Sequence, residues 1–255
     1  MRIATWNVNS LRVRLPHLRD WLAANPVDII ALQETKLPDE DFPRADIEAL
    51  GLHAVFSGQR TYNGVAILSR EPSTSVTSGI PGFQDEQRRV LAATIAGLRV
   101  IDVYVPNGQT VGSDKYEYKL RWLEALRGYV REELQRHERL CVLGDFNIAP
   151  EDRDVHDPKA WEGSVHVSPA ERAAWQALLS AGLTDCFRLF EQPEKSFSWW
   201  DYRMMGFRRN AGLRIDLIAA SGALARKCAA CLIDKAPRKL ERPSDHAPVV
   251  ATFDI

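Results

Sequence analysis

Apolar residues in this chain gather into short runs separated by amphipathic stretches, and that alternation sets the expected order of elements. IATWNV and VDIIALQE read as buried strands, each an apolar run of strand length. Between them Leu15, Leu18 and Leu22 recur at helical spacing, which predicts a helix over Leu11–Ala24. GVAILS, RVLAATIA and LRVIDVYVP read as strands because they are rich in β-branched residues. A long helix from about Asp114 to His137 leads into RLCVLGDF, another buried strand. The stretch from Ala149 to Ser168 is polar, shows no clear period and reads as a long functional loop. SPAERAAWQALLSAG opens on Ser168 with Glu171 three residues on, a capping box that starts a helix. LRIDLIAAS and APVVATFDI supply the last strands. Strand–helix–strand, consecutive strands and then helix–strand, loosely repeated in the second half, predict two packed sheets covered by helices. No Pro-, Gly- or Ser-rich linker interrupts residues 1–255, so one domain is expected.

Composition changes this picture little, and charge changes it more. With 45% hydrophobic and 26% charged residues the chain can bury a large core. Lys and Arg number 33 against 34 Asp and Glu, a net charge of −1, which excludes a sequence-blind coat of positive charge. A polyanionic partner would require the basic residues to gather on one face. A basic-then-apolar leader is not seen, nor is an apolar run of about 18 residues, so a cytoplasmic protein without a membrane span is expected. Cys228 and Cys231 form a lone C-x-x-C without the second pair of a structural zinc site. With Cys141 and Cys186 they read as reduced thiols.

The candidate chemistry lies in the polar residues beside apolar strands. Asn7 follows IATW, Glu34 follows IIALQ, Asp145 and Asn147 follow CVLG, Asp216 follows GLRI, and Asp245–His246 precede APVV. One such residue is an ordinary turn former. Five sets converging on one rim would need partners or a metal, because a carboxylate beside a buried strand must be paired. Oxygen ligands with one or two carboxylates suit Mg²⁺, which also engages substrate phosphate. An Asp can accept the proton of an attacking water, and a His paired with Asp can hold a phosphoryl oxygen. Neither a zinc-type Cys–His set, nor G-x-S-x-G, nor a P-loop occurs.

WNVNSLR, LQETK, YVPNG, GDFNIAP, SWWDYR, GLRIDLIAAS and PSDHAPV follow one another from about Arg2 to Phe253. In this order and spacing they resemble the exonuclease III family of DNA-repair nucleases, within a larger group that includes DNase I and inositol-phosphate phosphatases. GDFN with SDH alone would indicate the larger group, and SWWDYR with GLRID after QETK narrows it. The resemblance implies a DNase I-like α/β fold, a four-layered sandwich of two mixed sheets flanked by helices. It implies a Mg²⁺-dependent phosphodiesterase, with Mn²⁺ as substitute, acting as a monomer on duplex DNA with 3′ ends, nicks or abasic sites. Glu34 matches the principal metal ligand, supported by Asn7, with Asp245 near the same ion. Asp145 matches the residue that orients or deprotonates water, and Asn147 its partner on the scissile phosphate. His246 matches the phosphate-binding histidine, held in its tautomer by Asp216. Tyr104 and Asn107 match the phosphate- and strand-positioning pair, with Tyr104 either a phenol donor or a stabiliser of charge.

Adjacent Trp199 and Trp200 cannot both enter one core from an extended segment, so one packs and the other caps a groove. In the family an aromatic matching Trp199 lines the sugar pocket with residues matching Leu213 and Ile215. Lys115, Lys119 and Arg121, with Arg203, Arg208 and Arg209, form two basic clusters that could follow a DNA backbone. The sequence departs from relatives that incise abasic DNA at His166, where they carry Gly or Ser. An imidazole there would fill the pocket edge and favour 3′ ends, donating to a terminal phosphate, more so at mildly acid pH. Alternatively it is a surface residue without a role. Two other functions compete: a phosphatase for inositol phosphates or lipid phosphodiesters, and a DNA-binding module without catalysis. The tryptophan-rich SWWDYR argues against the first, and the filled catalytic positions against the second.

Overall fold

Two of the strand pairs are parallel, and each needs a crossover, which a helix supplies. The computed structural model describes residues 1–255. Its elements begin β1 (Arg2–Asn7), α1 (Leu11–Ala24), β2 (Ile29–Gln33), α2 (Arg44–Glu48), β3 (His53–Ser57) and β4 (Val65–Ser69). There follow β5 (Ser73–Ser78), β6 (Val90–Ile95), β7 (Leu98–Tyr104), α3 (Asp114–Arg136) and β8 (Leu140–Asp145). Next come α4 (Pro158–Trp161), α5 (Pro169–Ser180), β9 (Leu183–Asp185), β10 (Trp199–Trp200) and β11 (Gly212–Leu213). The chain closes with β12 (Asp216–Ser221), α6 (Gly222–Ala225), β13 (Cys228–Ile233) and β14 (Val249–Phe253).

Twelve strands form two six-stranded sheets, ordered β13-β14-β1-β2-β4-β3 and β5-β6-β7-β8-β12-β9, with β10 and β11 a separate ribbon. β1 runs parallel to β2 across α1, and β7 runs parallel to β8 across α3. All other pairings are antiparallel, so both sheets are mixed. The sheets pack face to face through Ile3, Ala31 and Ile67 on one side and Leu91, Val100, Leu143 and Ile218 on the other. Leu11, Leu18 and Trp21 of α1 cover the outer face of the first sheet against Trp6 and Leu32. Trp122, Leu126 and Val130 of α3, with Trp175 and Leu178 of α5, cover the second sheet. The layers are therefore helix, sheet, sheet and helix, as the pattern predicts. No helix is long and apolar enough to cross a membrane.

α1 has the bounds its periodicity gives, and α3 stops one residue before His137. At α5 the capping box forms with both of its hydrogen bonds. The loop from Ala149 to Ser168 is less irregular than expected, holding α4, which Asp157 caps by accepting from the Ala160 N–H. Several strands escape the pattern for identifiable reasons. β5 is an exposed, polar edge, STSVTS, and β13 is a run of small residues broken by a bulge between Cys228 and Ala230. The chain ends are neighbours. Met1 donates its ammonium to the Phe253 carbonyl oxygen at 2.6 Å, where β1 begins and antiparallel β14 ends.

Candidate active site

Side-chain alternation delivers the polar residues to one seam. In β1 the residues facing the other sheet are Ile3, Thr5 and Asn7, and in β2 they are Ile29, Ala31 and Gln33. In β7 they are Val100, Asp102 and Tyr104, and in β8 Cys141, Leu143 and Asp145. Each inner row starts apolar and ends polar at the same rim. Tyr104 and Asp216 both stand opposite Asp145 in the second sheet. One layer inward, the Gln33 amide donates to Thr5 Oγ1 at 2.9 Å and to Asp102 Oδ1 at 2.7 Å. Burial raises the Asp102 carboxyl well above its ordinary value, against the pull of the Gln33 amide. Asp102 Oδ2 and Gln33 Oε1 have no other partner.

The rim itself is a web of carboxylates and amides. Asn7 Nδ2 donates to Glu34 Oε1 and to Asp145 Oδ2, both at 2.9 Å, while its oxygen accepts the Asn9 N–H. That orientation is fixed by the partners, since carboxylates accept only and an N–H donates only. As placed, the Asn7 amide bridges the Glu34 and Asp145 carboxylates. Ligand atoms of Glu34, Asp145 and His246 all lie within 4.8 Å of one another. Asp245 falls outside that group. Its two oxygens accept Asn9 Nδ2 at 2.9 Å and Trp199 Nε1 at 3.0 Å.

Protons at the seam follow from burial and charge. His246 Nδ1 donates to Asp216 Oδ2 at 2.9 Å, and its Nε2 lies 3.7 Å from Asp145 Oδ2. Burial works against a charged imidazole here, yet the Asp216 and Asp145 carboxylates outweigh it and raise His246 to about 10. A protonated imidazole cannot bind a cation, so Glu34 and Asp145 remain as oxygen donors, a set that suits a hard divalent ion. Burial also raises Asp145, to about 7, against the pull of the His246 cation. Burial first, then the Glu34 and Asp145 carboxylates, raise Tyr104 well above its ordinary value, so its phenol stays an O–H donor. Glu34, Asn147 and His166 all adopt left-handed backbone, with φ of 52°, 50° and 77°. Such positions cluster where surrounding structure holds a site in place.

Beyond the rim the structure corrects three expectations. Lys119 cannot follow a DNA backbone, because its side chain is fully buried and ion-paired with Glu171. His166 is not a surface residue, being 6% exposed, with Nδ1 donating to the Asn147 carbonyl at 2.6 Å. Burial, then the Lys119 charge, lowers its pKa to about 4. The imidazole is therefore neutral, its Nε2 a lone pair 3.4 Å from Asn107 Nδ2, and it is no donor to a phosphate. Leu213 and Ile215 are buried behind Trp199 and back the pocket wall without exposing a face. Trp199 and Trp200 divide as expected. Trp200 is core, and Trp199 is half-buried beside Trp161 and His166, with ring centroids 6.5 Å apart in both pairs.

Two grooves flank the seam. One of about 410 Å³ runs past Glu34, Tyr104, Arg89 and exposed Lys115. The other, about 380 Å³, is walled by Trp161, Trp199, Arg203 and Arg209, with Arg203 exposed and paired to Asp201. Cavities of about 610 and 540 Å³ lie elsewhere, away from the carboxylate–histidine cluster. Sequence reasoning missed Arg89, whose guanidinium lies 4.6 Å from the Tyr104 ring and donates to the Tyr104 carbonyl. It also missed Lys36, 2.8 Å from Glu34 Oε2, although Lys36 stands inside LQETK.

Similar proteins carry related names. The profile of the Endonuclease/Exonuclease/phosphatase family matches residues 4–246. Exodeoxyribonuclease III of Haemophilus influenzae is 36% identical, covering 99% of this chain and all of its own. The structure of a 3′ phosphatase from Neisseria, bound to product DNA hairpin, superposes with a TM-score of 0.98 at 50% identity over all of both chains. An AP endonuclease from Archaeoglobus fulgidus does so with a TM-score of 0.96 at 41% identity, again over all of both chains.

Proposed function

The chain belongs to the endonuclease/exonuclease/phosphatase family, and from that premise we propose a DNA-repair phosphodiesterase that works chiefly on 3′ termini, 3′-phosphates included. The observation that carries the reading is the seam where Asp145 lies between the Asn7 amide and the Asp216–His246 pair. Asp145 accepts the proton of a water that attacks phosphorus on an ester at a DNA 3′ end, as the P–O3′ bond breaks and the departing 3′ oxygen takes a proton from solvent to become a hydroxyl. His246, kept cationic by Asp216, holds a phosphoryl oxygen through Nε2–H, and the Tyr104 phenol donates to another. Asn7 and the Asn147 N–H, 2.9 Å from Asp145 Oδ1, aim the carboxylate. Mg²⁺, replaceable by Mn²⁺, would be held by Glu34 and Asp145 and would supply charge against the phosphate. Lys115 and Arg203, one in each groove, meet the flanking DNA backbone, and Trp199 meets a sugar. A duplex of this kind lies in the cytoplasm, and the four free thiols suit that compartment. The protein acts as a monomer.

His166 sets the choice of end. Relatives of this fold include both a 3′ phosphatase and an AP endonuclease, so the seam alone does not decide between them. A neutral, buried imidazole at the edge of the Trp199 pocket excludes by bulk, and an abasic sugar swinging in from an intact strand needs that room. The purified protein is expected to remove a 3′-phosphate from nicked duplex in Mg²⁺ and to stop in EDTA. Glu34→Ala, which removes a rim charge and no core atoms, is expected to stay folded and lose orders of magnitude in turnover. Full activity of that variant in EDTA refutes the metal-centred reading. Because His166 is neutral, mild acid brings no gain in phosphate removal. His166→Gly is expected to raise incision at internal abasic sites relative to 3′-phosphate removal.

A further inference from the structure

Beneath the loop that carries His166 lies a buried ion pair that the reaction itself does not use. Lys119 of α3 and Glu171 of α5 are both 0% exposed and bonded to one another. The remaining two Lys119 hydrogens go to main chain, to the Asn107 carbonyl at 3.1 Å and the Asn147 carbonyl at 2.7 Å. An ammonium has three donors, and all three are spent. Glu171 is equally committed. Its Oε1 also accepts the His166 N–H at 3.0 Å, and its Oε2 accepts the Ser168 N–H at 3.1 Å and hydroxyl at 2.6 Å. Three loops thus end on one charge pair: YVPNG through Asn107, GDFN through Asn147, and the loop of His166. The Asn147 carbonyl that receives Lys119 also receives His166 Nδ1. The ring is therefore pinned at its backbone by Glu171 and at its side chain by a carbonyl that Lys119 holds.

Two further facts indicate that this arrangement serves geometry. A buried ion pair loses much of its hydration, and well-packed apolar substitutes are often as stable or more so, so stability alone does not account for it. The glycine of YVPNG is also shaped to it. At Gly108, with φ +91°, a Cβ would lie 3.0 Å from Lys119 Cδ and 3.2 Å from Val165 Cγ2. A side chain there would push the lysine stem or Val165 aside and would sit on left-handed backbone, both of which glycine avoids.

We propose that Lys119 and Glu171 are positioning residues that set substrate choice by locking His166 at the pocket edge. This rests on the reading of His166 given above. Five proteins test it: Glu171→Gln, the apolar double variant Lys119→Met with Glu171→Leu, His166→Gly, the combination of the last two, and a core control, each assayed on internal abasic duplex and on nicked 3′-phosphate duplex. Glu171→Gln keeps the size of the side chain and turns an amide donor toward either His166 N–H or Ser168 N–H, so one half of the clamp opens. In both clamp variants the ratio of incision to phosphate removal is expected to rise at least about fivefold, the scale on which one lost hydrogen bond is felt. Adding the double substitution to His166→Gly is expected to raise the ratio no further than His166→Gly alone, because the ring on which the clamp acts is then absent. Leu18→Val, in the core of α1, lowers stability from a separate hydrophobic cluster that holds no residue of the three loops, and it is expected to leave the ratio unchanged. A shifted ratio for His166→Gly with an unshifted ratio for folded Glu171→Gln overturns the clamp and leaves the His166 reading standing. An unshifted ratio for His166→Gly overturns the reading of His166 and the clamp with it. Should the double variant fail to fold by circular dichroism, Glu171→Gln decides alone.

Discussion

At the scale of single residues, the seam depends on charges that only make sense in pairs. His246 carries its proton because Asp216 and Asp145 face it, and burial alone would strip that proton away. Asp216 therefore has no role that survives the loss of His246. Asp216→Ala and His246→Ala are each expected to reduce kcat by two orders of magnitude or more, and the double variant to be little worse than the more severe single. Multiplicative losses in single-turnover assays would show two independent residues and dissolve the unit. Asp145 differs in kind. Asp145→Asn keeps the shape and the bond from Asn147 N–H but cannot take a proton. It is expected to retain DNA binding, read by fluorescence anisotropy, while hydrolysis stops.

Elements show how far a sequence can be read and where the reading fails. The bounds of α1, the capping box of α5 and the convergence of Asn7, Glu34, Asp145 and His246 were all legible. Each follows from a local pattern: helical spacing, a Ser–Glu pair three apart, or a polar residue closing an apolar strand. β5 and β13 were not legible, because an exposed edge and a bulged run of small residues carry neither alternation nor β-branching. Lys119 misled because a lysine near a helix start is usually solvated. Its true partner lies 52 positions along the chain, in a glutamate already accounted for by a capping box. His166 misled because a polar loop says nothing about what lies underneath it. Asp102 offered a signal that went unused. An acidic residue in the middle of LRVIDVYVP could not lie in a buried strand with its charge intact.

For the whole molecule that aspartate matters most, because Asp102 joins the two sheets through Gln33. In the unfolded chain its carboxyl titrates near 4, and in the fold it titrates well above that. Below about pH 4 both states hold the proton, and the residue costs nothing. As pH rises the unfolded chain releases a proton that the fold retains. Stability then falls by about 1.4 kcal/mol per pH unit until the folded value is passed. Asp102→Asn has no proton to release and brings an NH₂ that can face Gln33 Oε1, an atom without another partner. Its margin over wild type in urea unfolding is expected to widen between pH 5 and pH 8. Parallel pH profiles for the two proteins would mean that Asp102 is already charged inside the fold.

The paired ends of β1 and β14 have a practical side. β1 runs from Arg2 up to Asn7 at the seam, and β14 runs back down from Val249 to Phe253. A six-residue strand spans about 20 Å, so Met1 and Ile255 lie a full sheet height from the chemistry and beside one another. A fluorophore, a surface anchor or a fused reporter attached at either point leaves from the base of the sandwich. The grooves then face outward, free to receive long DNA, and a single-molecule assay can hold the protein by its foot.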